Sequence, residues 1–446
     1  MPVRSAEVDQ EQAAILRGPP PVPLREVFSL NAPTLRHVPG GARPRVQLAF
    51  SRALRALVSQ LDAISFWQVM AFPKLVLRAT GDPRTHQGLD VSQVVLNRLD
   101  LWEAGFFADL WGQAKKDVEK PLKKGAPSKP NLSKKQVDEK MVASMRSLVS
   151  DGAPRKALNL LTSDGLHSVA DPAILTKLQA LHPAGNPVNM ASLPQVVDHG
   201  LPSLEDLKFW SQAVIKGVAD FPRGSAPGPS GLRPSCLYDL LKRGPHVSKV
   251  VVELAALVAL SAHGKFPAEL APTFGAATLV PLKKPDGGVR PIAIGETLRR
   301  LVGKSLMHLP KLMGELRALA PLKCGMGIVT ACESIGQGLQ ALIPSLPESG
   351  DWVALQVDVI NAFNTVSRTS VLQGAAEFAP SMFPWLKTLY GQPAMLFCQG
   401  SVLLSRTGVH QGCPLGPAAF AVGIQRAPKS SSTFLSPGES FTWTMG

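Results

Sequence analysis

The hydrophobic pattern of the chain changes its period part way along, and this change limits the fold more than any single residue. Before Ala276 apolar residues recur at helical spacing, as in LAFSRALRALVSQL and VVLNRLDLWEAGFF. From Ala276 to Gly295 two short β-type runs flank the turn PDGG, which predicts a hairpin. We therefore expect an α+β fold in which a helical N-terminal region precedes a part with strands.

The second half of the chain continues to alternate strands and helices. DWVALQVDV reads as a strand that ends in an aspartate, and NTVSRTSVLQGAAEFA as the helix that follows it. AMLFCQ and SVLLSRTG are predicted strands joined at Gly400, and a small-residue helix, AAFAVGIQ, is predicted after the turn HQGCPLGP. The sequence contains no internal repeat.

Composition shifts divide the chain into segments. Between Lys115 and Lys140 nine lysines stand against four acidic residues, and prolines break any periodicity. This stretch is either a solvated hinge or an arm that contacts phosphates. The expected segments are an irregular Pro/Arg-rich lead-in (1–45), a helical region (46–112), the Lys-rich exposed linker (113–140), a second helical region (141–220), two further parts (221–330 and 331–425) and a divergent disordered tail (426–446).

Size and charge narrow the classes of function. A chain of 446 residues with 45% hydrophobic content is long enough for two or three domains with real cores, so disorder throughout is excluded. The net charge of +14 and the pI near 9.7 suit a polyanionic partner, with nucleic acid first. Charge alone does not decide the matter, because many basic proteins bind no nucleic acid.

The cysteines and the apolar stretches indicate in which cellular compartment the protein is expected. The five cysteines form neither a CxxC pair nor a zinc-finger spacing, so we expect reduced thiols that are either part of the core or incidental. The start of the chain lacks the apolar core of a signal peptide, and the run from Val250 to Ala262 is too short to span a bilayer. These features predict an intracellular protein, nuclear or cytoplasmic, that is not inserted in a membrane.

Four short blocks occur in one order in the second half of the chain. They are APGPSGLRPSCLYDLL (226–241), LVPLKKPDGGVRPIAIGETLRRLVGK (279–304), LQVDVINAFNTV (355–366) and GVHQGCPLGPAAF (408–420). Each block alone is a moderate signal, but their order and spacing together are specific. The set resembles the reverse transcriptases of non-LTR retrotransposons and group II introns. The resemblance implies a right-hand polymerase fold, with fingers at 221–330 and a partial palm at 331–425.

The resemblance implies a magnesium site at the end of the strand in the third block. Nucleotide transfer to a primer end uses two Mg²⁺ ions, which prefer hard oxygen ligands. Asp358 matches the family aspartate that binds both ions, and the carbonyl of Val359 assists it. The alternative for an isolated aspartate at this place is a cap for the next helix.

Other positions match the residues with which the family holds its nucleotide. Phe363 matches an aromatic gate beside the sugar 2′ position, although a lone Phe there more often belongs to the core. Gln411 matches a contact near the ribose, and Gly412 a place where the backbone approaches base and template closely. A buried turn glutamine without a ligand is the alternative. Cys413 departs from the small or acidic residue that the family usually has there.

Basic residues in the second block match the fingers of the family. Arg290 matches the arginine above the triphosphate, and Lys283 or Lys284 its basic neighbour. The alternative is a hairpin whose charged side chains are only solvated and bind no phosphate. On the next helix, we expect three basic residues to face template phosphates: Arg299, Arg300 and Lys304.

The family's paired aspartates have no match in this sequence. No aspartate follows Asp358, and the only later acidic residues are Glu377 and Glu439. We therefore expect a reverse transcriptase truncated before that motif, without a thumb and inactive alone, whose partners are an RNA template, a DNA primer and deoxynucleoside triphosphates. The alternatives are a domesticated, non-catalytic RNA-binding protein on the same fingers, and an unrelated basic helical protein.

Overall fold

The computed structural model describes residues 20–79, 90–119, 141–162 apart from 143, 147 and 151, 165–196, 202–319, 330–346 and 359–425. It contains helices and one four-stranded sheet, which confirms the α+β class. In the N-terminal part the helices are α1 (Leu24–Ser29), α2 (Arg43–Gln60), α3 (Ala63–Val76), α4 (Val91–Glu103), α5 (Phe107–Glu119), α6 (Pro154–Thr162), α7 (Pro172–Leu181) and α8 (Leu204–Ala219).

The remaining elements follow in chain order. They are α9 (Pro234–Lys242), α10 (Val247–Ala262), α11 (Ala271–Phe274), β1 (Ala277–Lys283), β2 (Val289–Gly295), α12 (Thr297–Leu306), α13 (Pro310–Arg317), α14 (Ala331–Leu342), α15 (Ala362–Thr365), α16 (Arg368–Phe378), α17 (Phe383–Tyr390), β3 (Ala394–Cys398), β4 (Ser401–Ser405) and α18 (Gly416–Gly423). Short 3-10 turns lie at Met190–Ser192 and Ile343–Ser345.

Helix α10 is the centre of the main core. Its sequence VSKVVVELAALVALSA is apolar on nearly every side, which is typical of a helix that is surrounded by others. It packs against α2, α8, α12 and α17. The helical N-terminal region and the second half of the chain therefore share one hydrophobic core.

Both predicted hairpins form, and they join in one sheet of order β2-β1-β3-β4. Strands β1 and β2 are antiparallel, with Ala277 opposite Gly295, and β3 and β4 are antiparallel around a turn at Gln399 and Gly400. Both turn residues have positive φ, as a tight two-residue hairpin requires. A short parallel pairing, Ala277 with Leu396, connects the two hairpins. Helix α7 covers one face of this sheet with Ile174 and Leu178.

The first predicted helical region contains more breaks than its periodicity shows. The run from Val46 to Leu77 is two helices, because Leu61 adopts a left-handed conformation and the Asp62 side chain accepts a hydrogen bond from Ser65 N to start α3. A positive φ at Gly105 likewise separates α4 from α5. Apolar spacing predicts the presence of helix but not the places where the chain turns.

Two segments that were expected to be irregular contain helix in their described parts. Within the lead-in, α1 is helical, and it is buried through Val27 and Phe28, whose carbonyls accept hydrogen bonds from Lys74. The expected linker is helical as far as Glu119, and Asp117 pairs with buried Arg78 at 2.9 Å. Three expected segments lie outside the described residues: the rest of the linker (120–140), residues 351–358 of the predicted strand, and the tail at 426–446.

The described side chains include those of three of the five cysteines and of the apolar helices. Cys236, Cys398 and Cys413 are buried and free, and burial raises the pKa of Cys236 to about 12 and that of Cys398 to about 11. These three are core thiols, as expected. Among the described helices none is both long and apolar enough to cross a bilayer.

A buried glutamate fastens the first block to the second. Glu296 is fully buried, and its carboxylate accepts hydrogen bonds from Ser230 N at 3.0 Å, Ser230 Oγ at 2.6 Å and Thr297 N at 2.8 Å. Its charge also acts on Lys74, where burial lowers the pKa to about 7 and Glu296 opposes that shift. The loop before α9 and the start of α12 are therefore held together by one side chain.

Glu296→Ala is expected to lower the free energy of unfolding by about 3 kcal/mol, because three donors lose their acceptor inside the protein. Urea denaturation measures the change. Exposed Glu269→Ala is the matched control and is expected to change stability by less than about 0.5 kcal/mol. Equal stability of the Glu296→Ala variant and the unsubstituted protein would show that these bonds do not hold the two blocks together.

Candidate nucleotide-binding site

The turn of the fourth block contacts the third block through backbone hydrogen bonds. Val409 N donates to Phe363 O at 2.6 Å, and Gly408 N donates to Val366 O at 3.0 Å. Gly408 has φ of +71°, and a Cβ on it would lie 2.3 Å from the carbonyl carbon of Asn364. Only glycine permits this approach, so the two blocks meet because of the residue at 408.

The same turn lies against the second block. A Cβ on Gly412 would be 2.3 Å from Ala293 O of β2. The sequence predicted that this glycine makes room for base and template, whereas the structure fills the room beside it with a strand. Gln411, the residue before Gly412, is exposed rather than buried. Its side chain therefore stands at the surface beside the hairpin.

The hairpin places its charges on two faces. Its tip is closed by Asp286, whose side chain accepts from Gly288 N at 2.8 Å. Arg290 is exposed and lies opposite Leu282 in the register, whereas Lys283 lies opposite Val289. Side chains alternate between faces along a strand, so Arg290 and Lys283 point to opposite sides.

The alternation selects one of the two candidate lysines. Lys284 N donates to Gly288 O at 2.9 Å, which continues the ladder by one step and places Lys284 on the face of Arg290. The sequence left Lys283 and Lys284 open as the basic neighbour of the arginine. The described geometry favours Lys284, because only it shares that face.

The third block is described from Val359 onward. Val359 is 52% exposed, and the next residue, Ile360, is 90% exposed, so this turn faces solvent. Phe363 is half-buried and stacks on Phe420, with ring centroids 5.3 Å apart and planes 28° apart. This contact is the core packing that the sequence offered as the alternative to a sugar gate.

The expected metal ligand Asp358 lies outside the described residues. The described residues contain no group of three or more His, Cys, Asp or Glu side chains that could hold a metal ion. The magnesium site at Asp358 and Val359 therefore stays a prediction.

Two of the three basic residues expected to face template phosphates are buried, and that expectation was wrong for them. Arg299 is 1% exposed and donates to Gly275 O and to His410 Nδ1, the latter at 2.9 Å. Arg300 is 8% exposed and donates to Ala226 O at 2.7 Å. Helix α12 lies inside the protein, so these two arginines bind other parts of the chain and do not face a template. Lys304 donates to Asp220 O at 3.0 Å.

Sequence reasoning missed a buried polar cluster beneath the turn of the fourth block. His410 is 3% exposed, and its backbone N–H donates to Tyr390 Oη at 3.1 Å. Because Arg299 donates to Nδ1, the proton lies on Nε2, which donates to Ser405 Oγ at 3.1 Å. Arg368 donates to the same Ser405 oxygen at 2.7 Å. Three direct hydrogen-bond partners thus hold His410, the residue before Gln411, and Arg368 holds one of those partners.

The cluster keeps His410 neutral. Burial lowers the pKa of His410 well below its ordinary value, and the charges of Arg299, Arg368 and His182 act in the same direction. A protonated imidazole could not accept the hydrogen bond from Arg299. The neutral form is therefore the one that holds the turn. No sequence signal marks it, because its partners lie on distant elements.

No family model matches this chain, and no curated protein matches it significantly.

Lowering the pH is expected to destabilise the protein through His410. Below about pH 6.5 the unfolded imidazole takes up a proton while the folded one stays neutral, so the free energy of unfolding falls as the pH falls. His410→Gln is expected to remove up to about 1.4 kcal/mol per pH unit of this dependence between pH 6.5 and 5. Urea denaturation at several pH values measures it.

The control for this experiment is His246→Gln, at a partly exposed histidine, which is expected to leave the pH dependence unchanged. An unaltered slope in the His410→Gln variant would mean that His410 takes up a proton as readily in the folded as in the unfolded protein. The hydrogen-bond directions assigned around it would then be wrong.

Proposed function

We propose that this chain is a protein of the reverse transcriptase lineage whose described residues form fingers and part of a palm. One observation carries the proposal: the turn at 408–416 contacts the third block at Phe363 and the second block at Ala293, and these lie 45 or more residues away in sequence. Blocks that match a nucleotide site in sequence are also neighbours in space, which chance matches would not require.

The proposed site uses two exposed groups, Arg290 and Gln411, and the partly exposed Lys284. Arg290 and Lys284 on one face of the hairpin offer cations for phosphate oxygens, and arginine can bind them in a bidentate way. Gln411 offers a polar side chain at the surface of the adjoining turn. The proposed ligands are an RNA template, a DNA primer and deoxynucleoside triphosphates.

Magnesium would be held at Asp358 and the carbonyl of Val359, where it would lower the charge of the triphosphate. The sequence offers no aspartate after Asp358, and a single carboxylate does not hold two ions in the geometry that phosphoryl transfer needs. We therefore propose that this polypeptide, taken alone, binds template-primer without extending it.

A second candidate function is RNA binding without any nucleotide chemistry. The packing of Phe363 against Phe420 favours it, because a ring held in the core is less available to a sugar. The two candidates differ in the ligand they require. A reverse transcriptase site binds deoxynucleoside triphosphate in the presence of template-primer, whereas a pure RNA-binding surface does not.

Primer extension on poly(rA)/oligo(dT) with Mg²⁺ is expected to give no incorporation by the 446-residue chain, because it lacks the further carboxylates. An active polymerase in the same buffer is the positive control. Incorporation above background that is abolished by Asp358→Asn would show that this polypeptide supplies the remaining metal ligands itself.

The two faces of the hairpin give a matched test of nucleic-acid binding. Lys284→Ala with Arg290→Ala is expected to weaken template-primer binding by about tenfold or more, and to reduce the slope of log affinity against log salt by about one for each phosphate that is no longer bound. Lys283→Ala, on the opposite face, is expected to have little effect. Fluorescence anisotropy at several salt concentrations measures both quantities.

Equal weakening by Lys283→Ala and by either substitution on the other face would show that the hairpin contributes only diffuse charge. Absence of template-primer binding by the unsubstituted chain would remove the nucleic-acid proposal altogether.

A further inference from the structure

A cavity of about 90 Å³ lies at the first block, the one block that the proposed nucleotide site does not use. Three parts of the chain enclose it: the segment at 36–37, the end of α8 with the loop that follows, and the first two turns of α9. Leu148 closes it from a fourth side. On the same measure one water needs roughly 10–15 Å³, so the cavity has room for a small anion such as a phosphate group.

The side chains around this cavity are basic. Arg36, Arg223 and Arg233 line it together with His37 and Tyr238, and the described lining residues include no Asp or Glu. The nearby acid on α9, Asp239, accepts from Val38 N at 3.0 Å and faces His37 Nδ1 at 2.9 Å. Its carboxylate is therefore engaged at the edge of the cavity, where it holds the segment at 36–38 in place.

The Tyr238 ring lies beside two cations, Arg223 of the cavity lining and Lys242. The Arg223 guanidinium lies 4.5 Å from the centre of the Tyr238 ring, and Lys242 Nζ lies 5.3 Å from it. The pKa of Tyr238 is lowered first by a hydrogen bond with Arg223 and next by the charge of Lys242. The negative face of the ring offsets part of the repulsion between the two cations.

The positions of these residues are fixed by the backbone. Arg233 Nε donates to Thr34 O at 3.2 Å, and Ser235 Oγ donates to Arg36 O. On the other side, Ser225 Oγ donates to Pro222 O at 2.5 Å and shapes the loop that carries Arg223. The basic groups therefore converge on the cavity because of the fold, and not because long side chains happen to meet.

We propose that this cavity, here called the arginine pocket (Arg36, Arg223, Arg233 and Tyr238), binds a backbone phosphate of a nucleic-acid strand. Several arginines around a space of this size match the oxygens of one phosphate, which accepts several charge-assisted hydrogen bonds. The inference rests on the proposed function for the nature of the strand. It gives the first block, with Arg233, Ser235 and Tyr238, a second task beside its link to Glu296.

Arg223→Ala in the full chain tests the proposal, because Arg223 is exposed and its replacement does not threaten the fold. We expect binding of a fluorescent single-stranded RNA to weaken about tenfold, and the slope of log affinity against log salt to fall by about 0.7. Tyr238→Phe, which keeps the ring and removes the hydroxyl, is expected to weaken binding by a smaller factor. Arg52→Ala removes the same charge from the exposed side of α2 and is expected to have no such effect.

The same titrations separate this inference from the proposed function. If Arg223→Ala binds RNA as the unsubstituted chain does, while the Lys284 and Arg290 substitutions weaken binding, the arginine pocket fails and the hairpin stands. If only Arg223→Ala weakens binding, the hairpin fails and the pocket stands.

Inorganic phosphate and an acidic peptide serve as further probes. Competition by phosphate that depends on Arg223, together with weaker RNA binding by the variant, supports a phosphate site on the strand. Disappearance of phosphate competition with unchanged RNA binding overturns the assignment to a nucleic-acid strand. Binding of the peptide at the pocket in preference to RNA likewise overturns it.

Discussion

The close approach of the turn at 408–416 to two other parts of the chain is the interaction on which the rest of the site depends. Gly408 lies against the carbonyl of Asn364, and Gly412 against the carbonyl of Ala293. A side chain at either place would push the turn away by more than an ångström, since backbone atoms cannot yield as a flexible side chain can. The close contact of the turn with Asn364 and Ala293 places Gln411 at the surface beside the hairpin.

The turn is supported by the buried polar cluster around His410, which contains two buried arginines. Arg299 donates to Gly275 O and His410 Nδ1, whereas Arg368 donates to Ser405 Oγ and to the carbonyl oxygens of Gly408 and Gln392. Burial lowers the pKa of Arg368 to about 10. Such groups are costly to bury unless their donors are satisfied, and Arg299 Nε has no hydrogen-bond partner among the described residues. The hydrogen bonds that the other donors make therefore restrict how the cluster can be arranged. In the same way, the buried carboxylate of Glu296 holds the first block in place through its hydrogen bonds with Ser230.

Much of the local structure could be predicted from sequence, because turn chemistry and apolar spacing are local. The PDGG turn and the turn at Gly400 indicated both hairpins, and the apolar helix at Val247–Ala262 was evident. The partners of Glu296 and His410 could not be found, since Ser230 lies 66 residues from Glu296 and Arg299 lies 111 residues from His410. Arg299 was misassigned for the same reason: charge in a helical pattern predicts a solvated face, and here distant carbonyls and an imidazole replace the solvent.

The most direct test of the account is a set of distances between spin labels at positions 290, 411 and 358, with the unsubstituted chain as the labelling background. Arg290 lies three residues along β2 from Ala293, which is about 10 Å in a strand, so the pair 290 and 411 is expected within about 20 Å. If Asp358 belongs to the same site, its distances to both are expected in that range also. A distance from position 358 to either of the others beyond about 35 Å would contradict the account, because one nucleotide could not bridge so wide a gap.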